Sequence, residues 1–138
     1  MRQRASAAGR TNVVFTQGSA THLAFATGSF DAVVTRLSFH HFLESQTVLA
    51  EMLRVLEVGG TLAVADVVSA EDAGKAALQN AIEVLRDPSH VRMLSASELV
   101  ALIAGAGVTV ERRESWDKAR EFEEWLGIVA EPERVAPL

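Results

Sequence analysis

The sequence has no cysteine. Disulfides, cysteine-ligated zinc and thiol nucleophiles are therefore excluded from its chemistry. It has no apolar run approaching the ~20 residues that a membrane helix needs. The opening residues, MRQRASAAGR, are basic and small and lack the apolar core of a signal peptide. Excess positive charge is also missing: 13 Lys and Arg stand against 18 Asp and Glu, for a net charge of −5. That balance disfavours a nucleic-acid or anionic-membrane partner, since both need clustered cations. No G-x-S-x-G elbow and no Walker loop occurs. The only G-x-G, Gly105-Ala106-Gly107, follows a helical pattern and precedes a strand-like one. Phosphate binding needs the reverse order, so these glycines read as helix terminators. A soluble, cytoplasmic protein is the expectation.

What is present fits one domain. The chain has 138 residues, 49% of them apolar, enough for a buried core. Strand-like runs fall at 12–17 (NVVFTQ), 30–37 (FDAVVTRL), 61–68 (TLAVADVV) and 108–114 (VTVERRE). Ala32-Val33-Val34 is apolar without alternation, which suits a strand covered on both faces. Helical spacing marks 45–57 through Val48, Leu49, Met52, Leu53 and Leu56, with Ser45 as the expected cap and Gly59-Gly60 as the expected stop. Ser69 with Asp72 resembles a capping box opening a helix striped by Leu78, Ile82 and Leu85. Ser95 with Glu98 is a clearer capping box, ahead of Leu99, Leu102 and Ile103. A last helix is expected at about 117–128, with Phe122, Trp125 and Leu126 on its apolar face. Residues 1–11 are expected to be disordered and 130–138 a loose tail.

Strands joined by helices imply an α/β fold with a mostly parallel sheet and flanking helices. Ligands in such sheets sit beyond the carboxyl ends of the strands. Attention therefore falls on Gly18 to His22, Arg36 to Phe42 and Asp66 to Ser69. His40 and His41 are open to three readings: metal ligands, a catalytic base, or the packed lip of a pocket. Adjacent extended residues point opposite ways, and His22, His90 and the acids show no metal-ligand spacing, so metal binding is disfavoured. Asp31 reads as a turn residue. Arg36 reads either as a ligand for a carboxylate or as a locally paired surface residue. Asp66 reads as a substrate contact or, better, a cap for the next turn. Arg86, Asp87, His90 and Arg92 form a charged connection that could also be a solvated loop. Trp116, Phe122 and Trp125 read as core or helix-docking residues.

The stretch QGSATHLAFATGSFDAVVTRLSFHHF, followed by AEMLRVLEVGGTLAVADVV, resembles the class I S-adenosylmethionine-dependent methyltransferases. The branch it is most similar to is that of the quinone-biosynthesis methylases. In that family one strand ends in a Gly-Asp-Ala-x-x-Leu-Pro-Phe turn that touches adenine. The next starts Phe-Asp and ends beside the methionine part of the cofactor, often in His-His-Phe. A helix Glu-x-x-Arg-Val-Leu-Lys-Pro-Gly-Gly follows. The corresponding residues here are Gly18 to Phe25, Phe30-Asp31 with Arg36 to Phe42, and Glu51 to Gly60.

The resemblance implies a Rossmann-like fold and methyl transfer from S-adenosylmethionine to a small-molecule acceptor. Gly18, Ser19, Ala20 and Leu23 would flank the adenine. Arg36, Leu37, Phe39 and His40 would line the methionine end, with His41 as the catalytic base. Ser19 departs from the family's acid, Ala24 from its proline, and Glu57-Val58 from its Lys-Pro. The family's first strand and Gly-rich loop belong before residue 12, where eleven residues are too few for a βαβ unit of about 30. The resemblance thus implies an N-terminally truncated domain over residues 1–138. It also implies an open sheet edge, to be closed by a homodimer, a re-pairing of strands or a complementing chain. Unpaired buried backbone groups cost roughly 1–3 kcal/mol each, a large part of a total stability of about 5–15 kcal/mol. The alternative function is a non-catalytic relative that keeps the sheet as an assembly partner or remnant.

Overall fold

The computed structural model describes residues 2–117 and 119–127. Its centre is a parallel pair of strands, β1 (Phe30–Arg36) and β2 (Leu56–Ala65). They are joined by a 3-10 turn at Phe39–His41 and a helix, Ser45–Val55. With Arg2–Ala7 as α1, that helix is α2; α3 is Ala73–Arg86, α4 Ala96–Gly105 and α5 Phe122–Leu126. The strand–helix–strand order is the one that forces a parallel pair, as the sequence pattern implied.

α2 packs against both strands. Its apolar spacing places Val48, Leu49, Met52 and Val55 in the core, none more than 5% exposed, together with Phe39 and Met93. Val33 pairs with Leu62 and Thr35 with Val64, and these four form the half-buried face of the sheet. The opposite face, carrying Ala32, Val34, Ala63 and Ala65, is exposed, Val34 to 68%. Coverage of both faces, expected from the unalternating run, is thus not found among the described residues.

Gly59-Gly60 does not stop α2; the helix ends at Val55 and β2 runs through the glycines. Phe30 pairs with Leu56, but the next pair is Ala32 with Thr61, so extra residues bulge from β2. Gly59 takes φ +82° in that bulge, a conformation suited to glycine. A β-carbon on Gly60 would lie 2.9 Å from the Asp31 carbonyl oxygen and 3.0 Å from that of Glu57.

Several local expectations are corrected. Segments 12–17 and 108–114 are not strands: the sheet of the described residues is β1 and β2 alone, and a β-prone segment becomes a strand only beside a partner that takes up its backbone groups. Ser45 is the first residue of α2, after Glu44, and no side chain caps that end. Asp72, not Ser69, caps α3, accepting from Lys75 N at 2.9 Å. Ser69 instead pairs with the chain before α4, its N–H reaching Leu94 O. The stripe of Leu78, Ile82 and Leu85 on α3 is exposed, Leu85 to 86%. Part of the segment expected to be disordered, Arg2–Ala7, is helical. The last helix is shorter than expected. Trp116 and Phe122 are exposed, while Trp125 docks on α3, its indole N–H reaching Glu83 Oε1 and its ring facing Arg86. Other expectations hold. Ser95 and Glu98 form a full capping box on α4, and Gly107 closes that helix at φ +84°. The expected tail at 130–138 lies outside the described residues. No helix among the described residues is long and apolar enough to cross a membrane.

Candidate functional site

The carboxyl ends of β1 and β2 are level, with Arg36 opposite Ala65. Leu37 extends the ladder by one bond to Ala65 O and then turns the chain at φ +50°. That left-handed conformation is costly for a leucine, and it delivers the chain at once into the 3-10 turn. The turn brings His40 against Asp66, the first residue after β2. The Asp66 carboxylate accepts three bonds: His40 N at 3.0 Å, His40 Nδ1 at 2.5 Å and Val67 N at 2.8 Å. Burial alone would raise the Asp66 pKa. The bonds from His40 and the two backbone amides outweigh it and hold the carboxyl below its ordinary value.

The turn defeats the extended-chain rule that sent the two histidines apart. Their ring centroids are 4.1 Å from each other, and His90 joins them at 5.6 Å from His40. His41 Nδ1 lies 2.9 Å from Ser89 O, and its Nε2 lies 3.9 Å from Asp87. His90 Nε2 donates to Asn80 Oδ1 at 2.9 Å; that oxygen also accepts from Met93 N at 2.7 Å, which fixes the amide's orientation. Burial, then the charges of His40 and His41, push the His90 pKa down. Asp87 and His90 are 6% and 7% exposed, and the amides of Val91 and Arg92 both reach His40 O. The 86–94 connection is therefore docked on the histidine turn, which rules out the solvated-loop reading. Among the described residues, no group of three or more His, Asp or Glu is placed to hold a metal ion.

Other sequence candidates divide into two groups. Arg36, Leu37, Phe39, His40 and His41 share the turn. Arg36 is exposed and makes no ion pair among the described residues. Phe39 is only 4% exposed and stacks edge-on with Phe42, so it serves the core as well as the site. Gly18, Ser19, Ala20 and Leu23 belong to a segment tied to α2. Ser19 bonds within its own bend, to Thr21 Oγ1 at 2.8 Å. Glu51 accepts from Leu23 N at 2.8 Å, and Arg54 donates to Leu23 O at 2.8 Å and Phe25 O at 2.9 Å. The Arg54 guanidinium, then the Leu23 amide, bring the Glu51 carboxyl down to about 2. This clamp is absent from the residue-by-residue reading. Its signal was an acid and an arginine three apart on one helix face.

A cleft of about 10 Å³, room for about one water, lies among Phe39, His40, Asp66, Val67, Arg92, Leu94 and Leu99. Arg92 and Leu94 also border an open groove of about 590 Å³ between the start of α2 and α4.

Comparison with known proteins follows the same outline. The family described as "Methyltransferase domain" matches residues 1–64. A protein of Escherichia coli strain K12, "Uncharacterized protein YafE", is 35% identical over 131 residues, covering 95% of this chain and 63% of its own. "Uncharacterized methyltransferase YcgJ" of Bacillus subtilis is 33% identical over 118 residues, 86% of this chain and 47% of its own. The crystal structure of the YcgJ protein superimposes with a TM-score of 0.88 at 31% identity, over 96% of this chain and 56% of that one. "Demethylmenaquinone methyltransferase" of Renibacterium salmoninarum is 46% identical over 57 residues, 41% of this chain and 24% of its own. The chain thus spans less than two thirds of the length of these relatives.

Proposed function

We propose that this chain is part of a class I S-adenosylmethionine-dependent methyltransferase, as its similarities support, and that the protein transfers a methyl group from S-adenosylmethionine to a small-molecule acceptor. One observation carries the reading: the turns after two neighbouring parallel strands meet, His40 on Asp66, at the edge of the sheet where such folds bind ligands. The similarity to a demethylmenaquinone methyltransferase supports a small-molecule acceptor.

The residues fit the cofactor in kind. Ser19 offers an oxygen acceptor to an amino group, Ala20 and Leu23 are half-buried apolar neighbours, and Gly18 leaves the backbone open. Arg36 is an exposed cation for a carboxylate, with Leu37 beside it. Glu51 and Arg54 hold the Ser19–Phe25 segment against α2. S-adenosylmethionine, when bound, supplies a methyl group activated on a sulfonium sulfur. The protein's remaining work is to align the acceptor, exclude water and remove one proton. Calorimetric titration of the protein with S-adenosylmethionine tests the reading. One-to-one binding weakened by Arg36→Ala supports it, and no heat at high micromolar cofactor overturns it.

The proposal extends to a partner. Among the described residues β1 pairs only with β2, and its other edge suits a strand from a second copy or a complementing chain. A light-scattering mass of a stable monomer would contradict this part.

A further inference from the structure

We infer that residues 87–94 are a strap, latched onto the histidine turn by clustered imidazoles at neutral pH and released in acid, which separates the His40–Asp66 cleft from the groove beside it. This goes beyond the methyl-transfer reading and stands whether or not that reading does.

Two cavities meet at the strap. The cleft at His40 and Asp66 holds about 10 Å³, room for about one water. The groove between the start of α2 and α4 holds about 590 Å³. Arg92 and Leu94 line both and form their shared wall. A molecule larger than water therefore passes from the groove to the His40–Asp66 pair only when the strap moves.

The strap is held chiefly by polar bonds. The amides of Val91 and Arg92 both reach His40 O at 3.0 Å, and Leu94 O accepts from Ser69 N at 3.0 Å. His41 Nδ1 lies 2.9 Å from Ser89 O. Asn80 Oδ1, on α3, accepts from Met93 N at 2.7 Å and from His90 Nε2 at 2.9 Å. Of the strap's apolar side chains only that of Met93 is buried. Segments with few buried apolar contacts open locally, short of global unfolding.

The trigger lies in the packing of the rings. The centroids of His40, His41 and His90 are 4.1, 5.6 and 6.4 Å apart. Two of the rings belong to the turn and one to the strap. His40 has Asp66 at 2.5 Å and His41 has Asp87 at 3.9 Å, whereas His90 makes no ion pair among the described residues. Its Nε2–H is spent on Asn80, so an added proton goes to Nδ1 of a residue only 7% exposed. The groups that face His90 are His40 and His41 from the turn, Glu83 from α3 and Asp87 from the strap itself. Glu83 is committed to Arg86 and to the Trp125 indole, and Asp87 to the amide and hydroxyl of Ser89.

Burial first, then the charge of His40, outweighs the two carboxylates and holds the His90 pKa down in the closed strap. In the open strap the ring is hydrated and titrates near its ordinary value of about 6.5. Below that pH the open strap takes up a proton that the closed strap refuses. Acid therefore favours opening, by at most about tenfold per pH unit for one proton.

The test is amide hydrogen exchange on the full protein, read residue by residue by NMR as protection factors. At neutral pH Val91 and Arg92 should be protected at least about tenfold less than Leu49 and Met52 in the core of α2. Between about pH 7.5 and about pH 5.5 they should lose a further threefold to tenfold or so. His90→Gln should abolish that loss. Asn80→Asp, whose carboxylate would neutralise a His90 imidazolium, should move it to lower pH. Protection at Val91 equal to that at Leu49 overturns the strap. Protection that ignores pH overturns the latch. A loss that persists in His90→Gln, or that Asn80→Asp leaves in place, overturns His90 as the trigger. For the cavities, Leu99→Cys puts the chain's only thiol on the cleft wall. Its labelling by dithiodipyridine, relative to the urea-unfolded chain at the same pH, should rise in step with the opening at Val91. A labelling ratio that stays level overturns the strap as the barrier between cleft and groove.

Discussion

A β-carbon on Gly60 has nowhere to go. In Gly60→Ala it would meet Leu56 Cδ1 at 2.7 Å, the Asp31 carbonyl oxygen at 2.9 Å and the Glu57 carbonyl oxygen at 3.0 Å. The leucine methyl can rotate aside. The two oxygens belong to backbone at the mouth of the parallel ladder, so relief requires a shift of β1 against β2. Overpacking of this kind costs typically about 1–3 kcal/mol. For a chain of this length that is a fall of roughly 3–10 °C in melting temperature. Gly59→Ala makes the comparison sharp. Nothing lies within 4 Å of its new carbon, and only the φ of +82° opposes it, a penalty of about 1–2 kcal/mol. Urea titrations of both variants at one pH give the free energies. The bulge also sets the register that brings Arg36 level with Ala65, and so Asp66 onto His40. Gly60→Ala should therefore lower turnover as well as stability, and Gly59→Ala should leave the register alone. A Gly60→Ala variant within about 0.5 kcal/mol of wild type, the range of ordinary surface substitutions, would refute the reasoning.

Leu49 is 1% exposed at the centre of α2; Leu49→Ala should lose about 2–5 kcal/mol in chemical denaturation. Arg54→Met removes the bonds to the carbonyls of Leu23 and Phe25, so limited proteolysis should cut between residues 19 and 28 faster than in wild type while the thermal transition of the rest persists. Acid should destabilise the fold through His90. Its pKa is lowered on folding, by burial first, so below its unfolded value of about 6.5 the unfolded chain binds the proton more readily. Stability is thus full above that pH and falls until the pH passes the lowered folded value; His90→Gln should flatten the urea-midpoint profile as the pH drops below about 6.5.

The parts of the fold legible in the sequence were those fixed by local rules. The spacing in α2, the Ser95–Glu98 box and Gly107 are each decided within a few residues; the box and Gly107 stand, and of the five spaced residues Val48, Leu49 and Met52 are buried, while Leu53 is half-buried and Leu56 lies in β2. The parallel pairing of β1 with β2 followed from the helix between them. The misplaced elements depend on distant partners. NVVFTQ and VTVERRE have strand composition, but composition does not supply a neighbour. Gly59-Gly60 looked like a helix stop because a bulge and a helix end both favour glycine, and periodicity cannot separate them. At the site, the histidines were found from position alone, yet their relative direction was not, because one left-handed leucine converts an extended segment into a turn. The docking of Asp87, Ser89 and His90 on that turn spans nearly fifty residues and has no local signature.

Rigidity is distributed as the site requires. Phe39, Val48, Leu49, Met52, Val55 and Met93 make up the buried apolar core of the described residues. Phe39 lies in the histidine turn, the four helical residues are in α2 beside it, and Met93 is on the connection docked against it. By contrast α3 and α4 have no buried residue. The best-packed atoms of the chain therefore stand directly behind His40 and Asp66. A hydrogen-bonded histidine–aspartate pair keeps one geometry only when packing and further hydrogen bonds hold it, and both are present here: the core beneath the turn, and the amides of Val67, Val91 and Arg92 around it. α4, one wall of the open groove, and α3, which carries the exposed apolar stripe, are held more lightly. The placement of a few apolar residues in α2 thus fixes the His40–Asp66 turn while α3 and α4 stay lightly packed.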